Sequence, residues 1–270
     1  MKWTDEAEQA IKKVPFFVRK RVKTRVENEA ADKGKNLITI SEVKSTQKNF
    51  LNKMSSEIKG YQIDTCFGQN GCPNKANSGD NLLKKIEQLL KKEDLLGFLK
   101  QNVKGDLKFH HEFRVTIADC PNACSQPQIK DIGIIGASKP GITIEECTKC
   151  NLCVVECKEG AIKIDKNKNA PDIDFGLCIL CGQCSKVCPT GTIEEENKGF
   201  KILLGGKLGR HPRLATELTG IYSEDHILDI VKKCLKLYKN KSTNGKRFAE
   251  IVKSEGIESF IKNGRKAWRK

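Results

Sequence analysis

Aromatic side chains are scarce in this chain, at 6% of its 270 residues, and no run interleaves them with basic residues. Such interleaving is how proteins stack and neutralise single-stranded nucleic acid. A nucleic-acid partner is therefore not expected, despite a formal charge of +15. Long apolar runs are missing too. No stretch approaches the length that spans a bilayer, so no membrane partner is expected. The start, Met1-Lys2-Trp3-Thr4-Asp5-Glu6, has no apolar core of a secretion signal. The length does allow a real core and two or three small domains.

Cysteine is what the chain has in excess, thirteen in all. Eight fall into two identical words, Cys147-x-x-Cys150-x-x-Cys153-x-x-x-Cys157 and Cys178-x-x-Cys181-x-x-Cys184-x-x-x-Cys188-Pro189. Disulfides are a poor account of them. The count is odd, no secretion signal is seen, and residues this close pair only with strain. Zinc is a poor account as well, because it takes two Cys-x-x-Cys pairs across a spacer that folds back, not three cysteines in succession. The spacing is that of two-cluster bacterial ferredoxins, in which three close thiolates surround one cubane and the fourth reaches across to the other. By that rule Cys147, Cys150, Cys153 and Cys188 hold one [4Fe-4S] cluster, and Cys178, Cys181, Cys184 and Cys157 hold the second. A short strand follows each word, at Ala161-Ile162-Lys163-Ile164 and at Gly191-Thr192-Ile193-Glu194. Exposed cluster ligands need reducing surroundings, so a soluble cytoplasmic protein of an anaerobe is expected.

Each oxidised cubane with four thiolates carries about −2, so three would bring the charge to about +9. Much of the basic excess therefore reads as counter-charge for anionic cofactors and an anionic substrate.

Secondary-structure signals run along the chain. Residues 1 to 33 read as two helices. Thr4 is placed to cap the first, Asp5, Glu6 and Glu8 lie in its positive first turn, and Pro15 begins the second. Val18, Val22 and Val26 form an apolar stripe, and Gly34 ends the helix. The basic run from Lys12 to Arg25 is the solvated face of this hairpin, with a docking surface as the sharper alternative. A short strand is expected at Leu37-Ile40, a loop over 41–79, a helix over 80–101, and strands at Phe113-Ile117, Ile132-Ile135 and Phe200-Leu204. In the last 70 residues Ile227, Ile230, Val231, Cys234, Leu235 and Tyr238 share a helix face, which makes Cys234 a buried apolar residue. The tail from Lys262 to Lys270 is expected to fray.

Four cysteines remain, Cys66-x5-Cys72 and Cys120-x3-Cys124. The second pair stands in Ile117-Ala118-Asp119-Cys120-Pro121-Asn122-Ala123-Cys124, a strand running into a Cys-Pro-Asn-x-Cys turn. This resembles the cluster-binding segment of dissimilatory and anaerobic sulfite reductases, in the siroheme-dependent nitrite/sulfite reductase family. The phrase Gly205-Gly206-Lys207-Leu208-Gly209-Arg210-His211-Pro212-Arg213-Leu214-Ala215 resembles the one after the inserted ferredoxin in that family. The order of parts also matches, over residues 60 to 260. Trp3-Thr4-Asp5-Glu6-Ala7 and Val14-Pro15-Phe16-Phe17-Val18-Arg19 are similar to a small helical domain of light-independent protochlorophyllide reductase.

The resemblance implies an α+β chain in four stretches. These are a helical domain at 1–45, the first part of a nitrite/sulfite reductase [4Fe-4S] domain at 46–138, a 2[4Fe-4S] ferredoxin insert at 139–197, and the second part of the reductase domain with a basic tail at 198–270. It implies a third [4Fe-4S] cluster on Cys66, Cys72, Cys120 and Cys124, with siroheme iron sharing the sulfur of Cys124. It implies sulfite or nitrite as substrate and an electron-donor protein such as ferredoxin as partner. Many relatives carry Lys-Phe-Lys where this chain has Glu112-Phe113-Arg114. Arg114 can grip an oxyanion with two N–H groups, whereas Glu112 repels one unless it is paired or turned away. Lys207 and Arg210 either contact siroheme carboxylates or form a basic turn. His110 and His111 are either proton donors or an exposed loop.

Family enzymes also carry a lobe before the first cysteine pair, which the residues ahead of Cys66 do not resemble. Three readings follow: a pocket completed by dimerising, a tetrapyrrole bound differently, or a cluster kept without its haem. The expected function is a sulfite or nitrite reductase fed by its own ferredoxin module. The alternatives are a non-catalytic three-cluster carrier serving a larger reductase, and a redox-sensing or assembly protein.

Overall fold

Two structural units make up the chain, Met1–Ile58 with Gly105–His110, and Lys59–Lys104 with His111–Lys270. The structure, a computed structural model, describes residues 1–165 and 167–257, and all of their side chains but those of 51–56 and 69. The tail from Lys262 to Lys270 lies outside the described residues.

In the first unit, β1 (Lys2–Trp3) leads into α1 (Asp5–Lys12) and α2 (Phe16–Ala31), and β2 (Leu37–Ile38) pairs in parallel with β1. Ala7, Val26, Ala30 and Ile38 form its small core, with Trp3, Val22 and Val43 packed against it. Thr4 stands at the N-cap of α1, but its side chain makes no capping bond and its hydroxyl is buried without a partner, so the expected cap is not made. Gly34 does close α2. Its φ of +68° suits a residue without Cβ, and it lets Lys35 N–H reach Ala30 O at 2.9 Å. The next helix, α3 (Ile40–Glu57), occupies much of what the sequence reads as loop. Its start is a capping box: Thr39 Oγ1 accepts from Ser41 N–H at 3.2 Å, and Glu42 accepts from Thr39 N–H at 2.9 Å.

The second unit is a five-stranded sheet in the order β3-β4-β5-β8-β9. Its first strand is β3 (Tyr61–Thr65), followed by α4 (Asp80–Lys92) and α5 (Leu95–Asn102). The helix expected over 80–101 is thus two, broken at Asp94, whose φ of +40° no helix accommodates. Next come β4 (Phe113–Ala118) and β5 (Ile132–Ile142), which continue the sheet in parallel with β3. A cysteine-rich insert follows, with α6 (Leu152–Glu156), β6 (Ile162–Lys163), β7 (Asp172–Ile173) and α7 (Gln183–Val187). The chain returns through β8 (Ile193–Leu204), antiparallel to β5, and β9 (Thr216–Tyr222), antiparallel to β8. The insert therefore sits on a long two-strand ribbon, and a register shift between Lys139 and Pro140 accommodates the proline.

Helices α8 (Glu224–Lys241) and α9 (Phe248–Glu255) complete the unit. Phe113, Val115, Ile117, Ile132, Ile134, Phe200, Ile202, Leu204 and Leu218 form one apolar core with residues of α4, α8 and α9. Strand alternation turns Gln62, Asp64, Arg114 and Thr116 to the opposite face. Cys234 is fully buried in the core, as its periodicity requires, and burial pushes its thiol pKa well up.

Candidate metal centres

Parallel pairing explains how distant cysteines meet. Thr65 at the end of β3 is in register with Ile117 in β4, and Cys66 N–H donates to Ile117 O at 3.1 Å. Cys66 and Cys120 therefore leave the sheet side by side, at the carboxyl ends of their strands, where open sheets place ligands. The turns that follow fold Cys72 and Cys124 back, so that Cys66, Cys72, Cys120 and Cys124 line one cavity with Lys75, Asp119 and Asn122. Because β5 runs parallel to β4, it carries the insert out of the same end of the sheet.

Two further cavities lie in the insert. One is lined by Cys147, Cys150, Cys153 and Cys188, the other by Cys157, Cys178, Cys181 and Cys184. The fourth cysteine of each word thus stands with the first three of the other. The words superpose in backbone: Lys149 and Asn151 take φ of +57° and +62°, and Leu180 and Gly182 take +64° and +68°. These left-handed turns wrap the chain around each thiol set. The second cavity, of about 420 Å³, reaches Asn74, Cys120 and Asn122 of the first set. Lys186 Nζ ties the two sets together by donating to Lys75 O at 2.7 Å.

Sulfur electrostatics follow from this crowding. Burial pushes the Cys184 thiol to about 12, helped by the neighbouring Cys181 and Cys178. Burial also raises Cys120, Cys153 and Cys178, again with other thiols of the same cavity adding to it. Cys188 is the exception. Burial pushes it up, but N–H of Ile193 and the Thr190 hydroxyl outweigh that and leave it lowered. Amides also point at other sulfurs: Gly68 N–H and Asp119 N–H reach Cys66 Sγ at 3.3 and 3.2 Å, and Asn122 Nδ2 reaches Cys124 Sγ at 3.1 Å. Such donors orient sulfurs that ligate metal. Gly68 has no room for a side chain, because a Cβ there would run into the Asp119 carboxylate.

The donor sets fit polynuclear clusters. None of the thirteen cysteines forms a disulfide. Among the described residues no three His, Cys, Asp or Glu side chains close on a point as a single ion requires. Four sulfurs ranged around a cavity instead suit a body several atoms across. Within the Cys66 set, Cys120 is buried, Cys66 and Cys72 are half-buried and Cys124 is exposed, so Cys124 is the most open of the four.

The candidate anion-binding residues do not join the cysteines. Arg114 lies near the start of β4, and its N–H donates to the buried Asp131 at 2.9 Å. Burial raises the Asp131 pKa, against the pull of Arg247, 3.4 Å away. The loop after β8 leaves the sheet at that same end, away from Cys66 and Cys120, because β8 runs antiparallel to β5. Within it Lys207 Nζ is held by Glu250 at 2.7 Å, and Arg213 donates to Gly205 O and to Thr216 Oγ1. Arg210 is exposed between them. Glu112 is paired and turned away: it is 2% exposed, and accepts from Lys59 N–H at 2.8 Å and Gln62 Nε2 at 2.7 Å. His110 is exposed and His111 half-buried, in a single helical turn at Phe109–His111.

Comparison with known proteins places this cysteine-rich chain in a family. Residues 61–270 match the family model described as the nitrite and sulphite reductase 4Fe-4S domain. The chain belongs to this family. Residues 3–46 match a second model, the proto-chlorophyllide reductase 57 kD subunit. A coenzyme F420-dependent sulfite reductase of Methanocaldococcus jannaschii is 28% identical over 201 residues, 74% of this chain and 31% of that protein. The beta subunit of the dissimilatory-type sulfite reductase of Archaeoglobus fulgidus is 28% identical over 162 residues, 55% of this chain and 44% of its own. The chain thus spans 31% to 44% of the length of these relatives. The crystal structure of dissimilatory sulfite reductase I has the same fold over 79% of this chain and 56% of its own, with a TM-score of 0.51 at 15% identity. The family membership makes this an iron–sulfur protein with a nitrite/sulfite reductase-type fold. Among the described residues no helix is long and apolar enough to cross a membrane.

Proposed function

We propose that the chain is a siroheme–[4Fe-4S] oxidoreductase of the sulfite or nitrite reductase type, with the insert at 139–197 serving as its electron relay. The observation that carries this reading is the convergence of Cys66, Cys72, Cys120 and Cys124 on one cavity, next to the one that holds Cys157, Cys178, Cys181 and Cys184. Each of the three four-cysteine sets would hold one [4Fe-4S] cluster. Siroheme, when bound, supplies the open iron face at which an oxyanion is reduced.

The chain's own residues prepare that chemistry. Asn122 and the amides of Gly68 and Asp119 aim N–H groups at the sulfurs of Cys66 and Cys124. Cys124 offers the shared sulfur. Arg114 and Arg210 bring permanent positive charge for an oxyanion or a tetrapyrrole carboxylate. Lys207, neutralised by Glu250, anchors the loop that presents Arg210. Anaerobic protein reconstituted with iron, sulfide and siroheme should reduce sulfite or nitrite with a viologen donor. Reconstituted protein that holds clusters and takes up no tetrapyrrole would leave no enzyme.

The second reading is a non-catalytic carrier with three clusters that serves a partner reductase. The span of the chain, 31% to 44% of these relatives' length, favours it. The relative from Archaeoglobus fulgidus is named as one subunit of a larger enzyme. Under the first reading a partner subunit or a second copy would complete the pocket.

A further inference from the structure

The two cysteine words repeat at an offset of 31 residues, so every position in α7 has a counterpart in α6. Gln183 corresponds to Leu152, and Lys186 to Val155. In the second repeat this helix face is occupied. Gln183 lines the cavity shared with Asn74, Cys120 and Asn122, and Lys186 Nζ bonds Lys75 O at 2.7 Å. It is the face through which one thiol set docks on the next. In the first repeat the same face is open and apolar: Leu152 is 48% exposed and Val155 81% exposed. Ile144, three residues before Cys147, is 98% exposed, and Cys150 is itself exposed. Single exposed apolar residues are ordinary; three within one short stretch that also carries an exposed metal-site thiol, two of them on one face of α6, are not.

The rim is charged against the trend of the chain. Glu145, Glu146 and Glu159 are exposed and Glu156 half-buried, in a stretch that also carries Lys149 and Lys158, and Glu156, Lys158 and Glu159 reach the second cavity. Four carboxylates against two lysines leave a local charge of −2 on a chain that carries +15. A bound cluster would make it more negative still, by about −2.

We propose that Leu152, Val155 and Ile144 form the docking site of a one-electron carrier protein whose own docking face is apolar at its centre and cationic at its rim. This rests on reading the Cys147 set as an iron–sulfur site. Each encounter passes one electron, so the carrier is oxidised by one electron and the loaded chain reduced by one, with no atom or proton transferred. The apolar centre allows close approach and rapid release, while the carboxylates steer the partner.

Cytochrome c, a cationic one-electron carrier, is a suitable probe. Full-length, cluster-loaded protein is mixed with it anaerobically at low salt and treated with a carbodiimide, which joins lysines to carboxylates in contact. Mass spectrometry of the conjugate should place the cross-links on Glu145, Glu146, Glu156 or Glu159. The double variant Leu152→Ser/Val155→Ser should lower the yield about tenfold, the loss expected from removing central apolar anchors. Its iron content and visible spectrum should match the parent's. Cross-links mapped elsewhere, or an unchanged yield in a variant with full iron, overturn the docking site alone. A parent protein without iron on the Cys147 set overturns the relay and this proposal together.

Discussion

Glu112 Oε2 accepts a 2.7 Å hydrogen bond from Gln62 Nε2, while Oε1 takes Lys59 N–H at 2.8 Å. A carboxylate in the position where many relatives carry a lysine is therefore part of the sheet's edge and does not face an anion. Glu112→Lys should not restore an anion site. It should destabilise the fold by about 1–3 kcal/mol, the cost of buried partners left unpaired. Glu112→Gln, which keeps the acceptor, should cost less. Thermal melts of the two variants check the order, and a Glu112→Lys variant that binds sulfite more tightly at full stability would contradict it.

The candidate cations differ in what already holds them. Lys207 is neutralised by Glu250, which lowers the Glu250 pKa through that hydrogen bond, whereas Arg210 is exposed. Arg114 lies near the start of β4, away from Cys66 and Cys120, so Arg114→Ala should leave cluster iron unchanged while it lowers kcat/KM for sulfite about 100-fold. Lys207→Ala should act through the loop and cost about 0–1 kcal/mol of stability, with a small kinetic effect. Steady-state kinetics beside melting curves separate the two.

The crossing of the fourth cysteines has a direct consequence. Cys157→Ser should disturb the site of Cys178, Cys181 and Cys184 and leave that of its own word intact, while Cys188→Ser should do the reverse. Each should lower iron by up to about four per chain. Electron paramagnetic resonance of the reduced variants identifies which signal is lost.

The first unit supplies a pH prediction. The Glu42 pKa is lowered to about 2 by its hydrogen bonds with Lys35 and Thr39. A carboxylate with a depressed native pKa stabilises the fold above its unfolded value of 4.5, and that contribution disappears as pH falls toward 2. The stability gap between the parent and Glu42→Gln should accordingly be full at pH 6 and shrink steadily below about pH 4.5. Urea titrations followed by Trp3 fluorescence, in a Trp268→Phe background, measure it. A gap that grows on acidification would contradict the capping role of Glu42.

The legible parts of this chain were those with short-range rules. Cysteine spacing fixes which loops must wrap, Gly34 and Pro15 punctuate helices, and the period of Ile227 to Tyr238 buries Cys234. The parts that were not legible depend on register. Helix α3 is rich in serine and lysine, with apolar residues thinly spread among them, although Thr39 and Glu42 carried a readable capping signal. Strands β3 and β9 mix polar residues because they form the sheet's edges, where one side meets no neighbour. Chain order alone could not reveal that β8 runs against β5. That reversal places the Lys207–Arg213 loop at the far end of the sheet from Cys66 and Cys120.

The convergence of Cys66, Cys72, Cys120 and Cys124 on one cavity, with Cys124 its most exposed member, is the feature on which the enzymatic reading turns. The most direct test is iron and tetrapyrrole quantification with a visible spectrum on anaerobically purified protein, parent and Cys124→Ser. The account predicts about twelve cluster irons per chain and a siroheme Soret band that Cys124→Ser removes or shifts while the insert's clusters survive. Cluster iron without any tetrapyrrole band in the parent, or a band indifferent to Cys124, would contradict it.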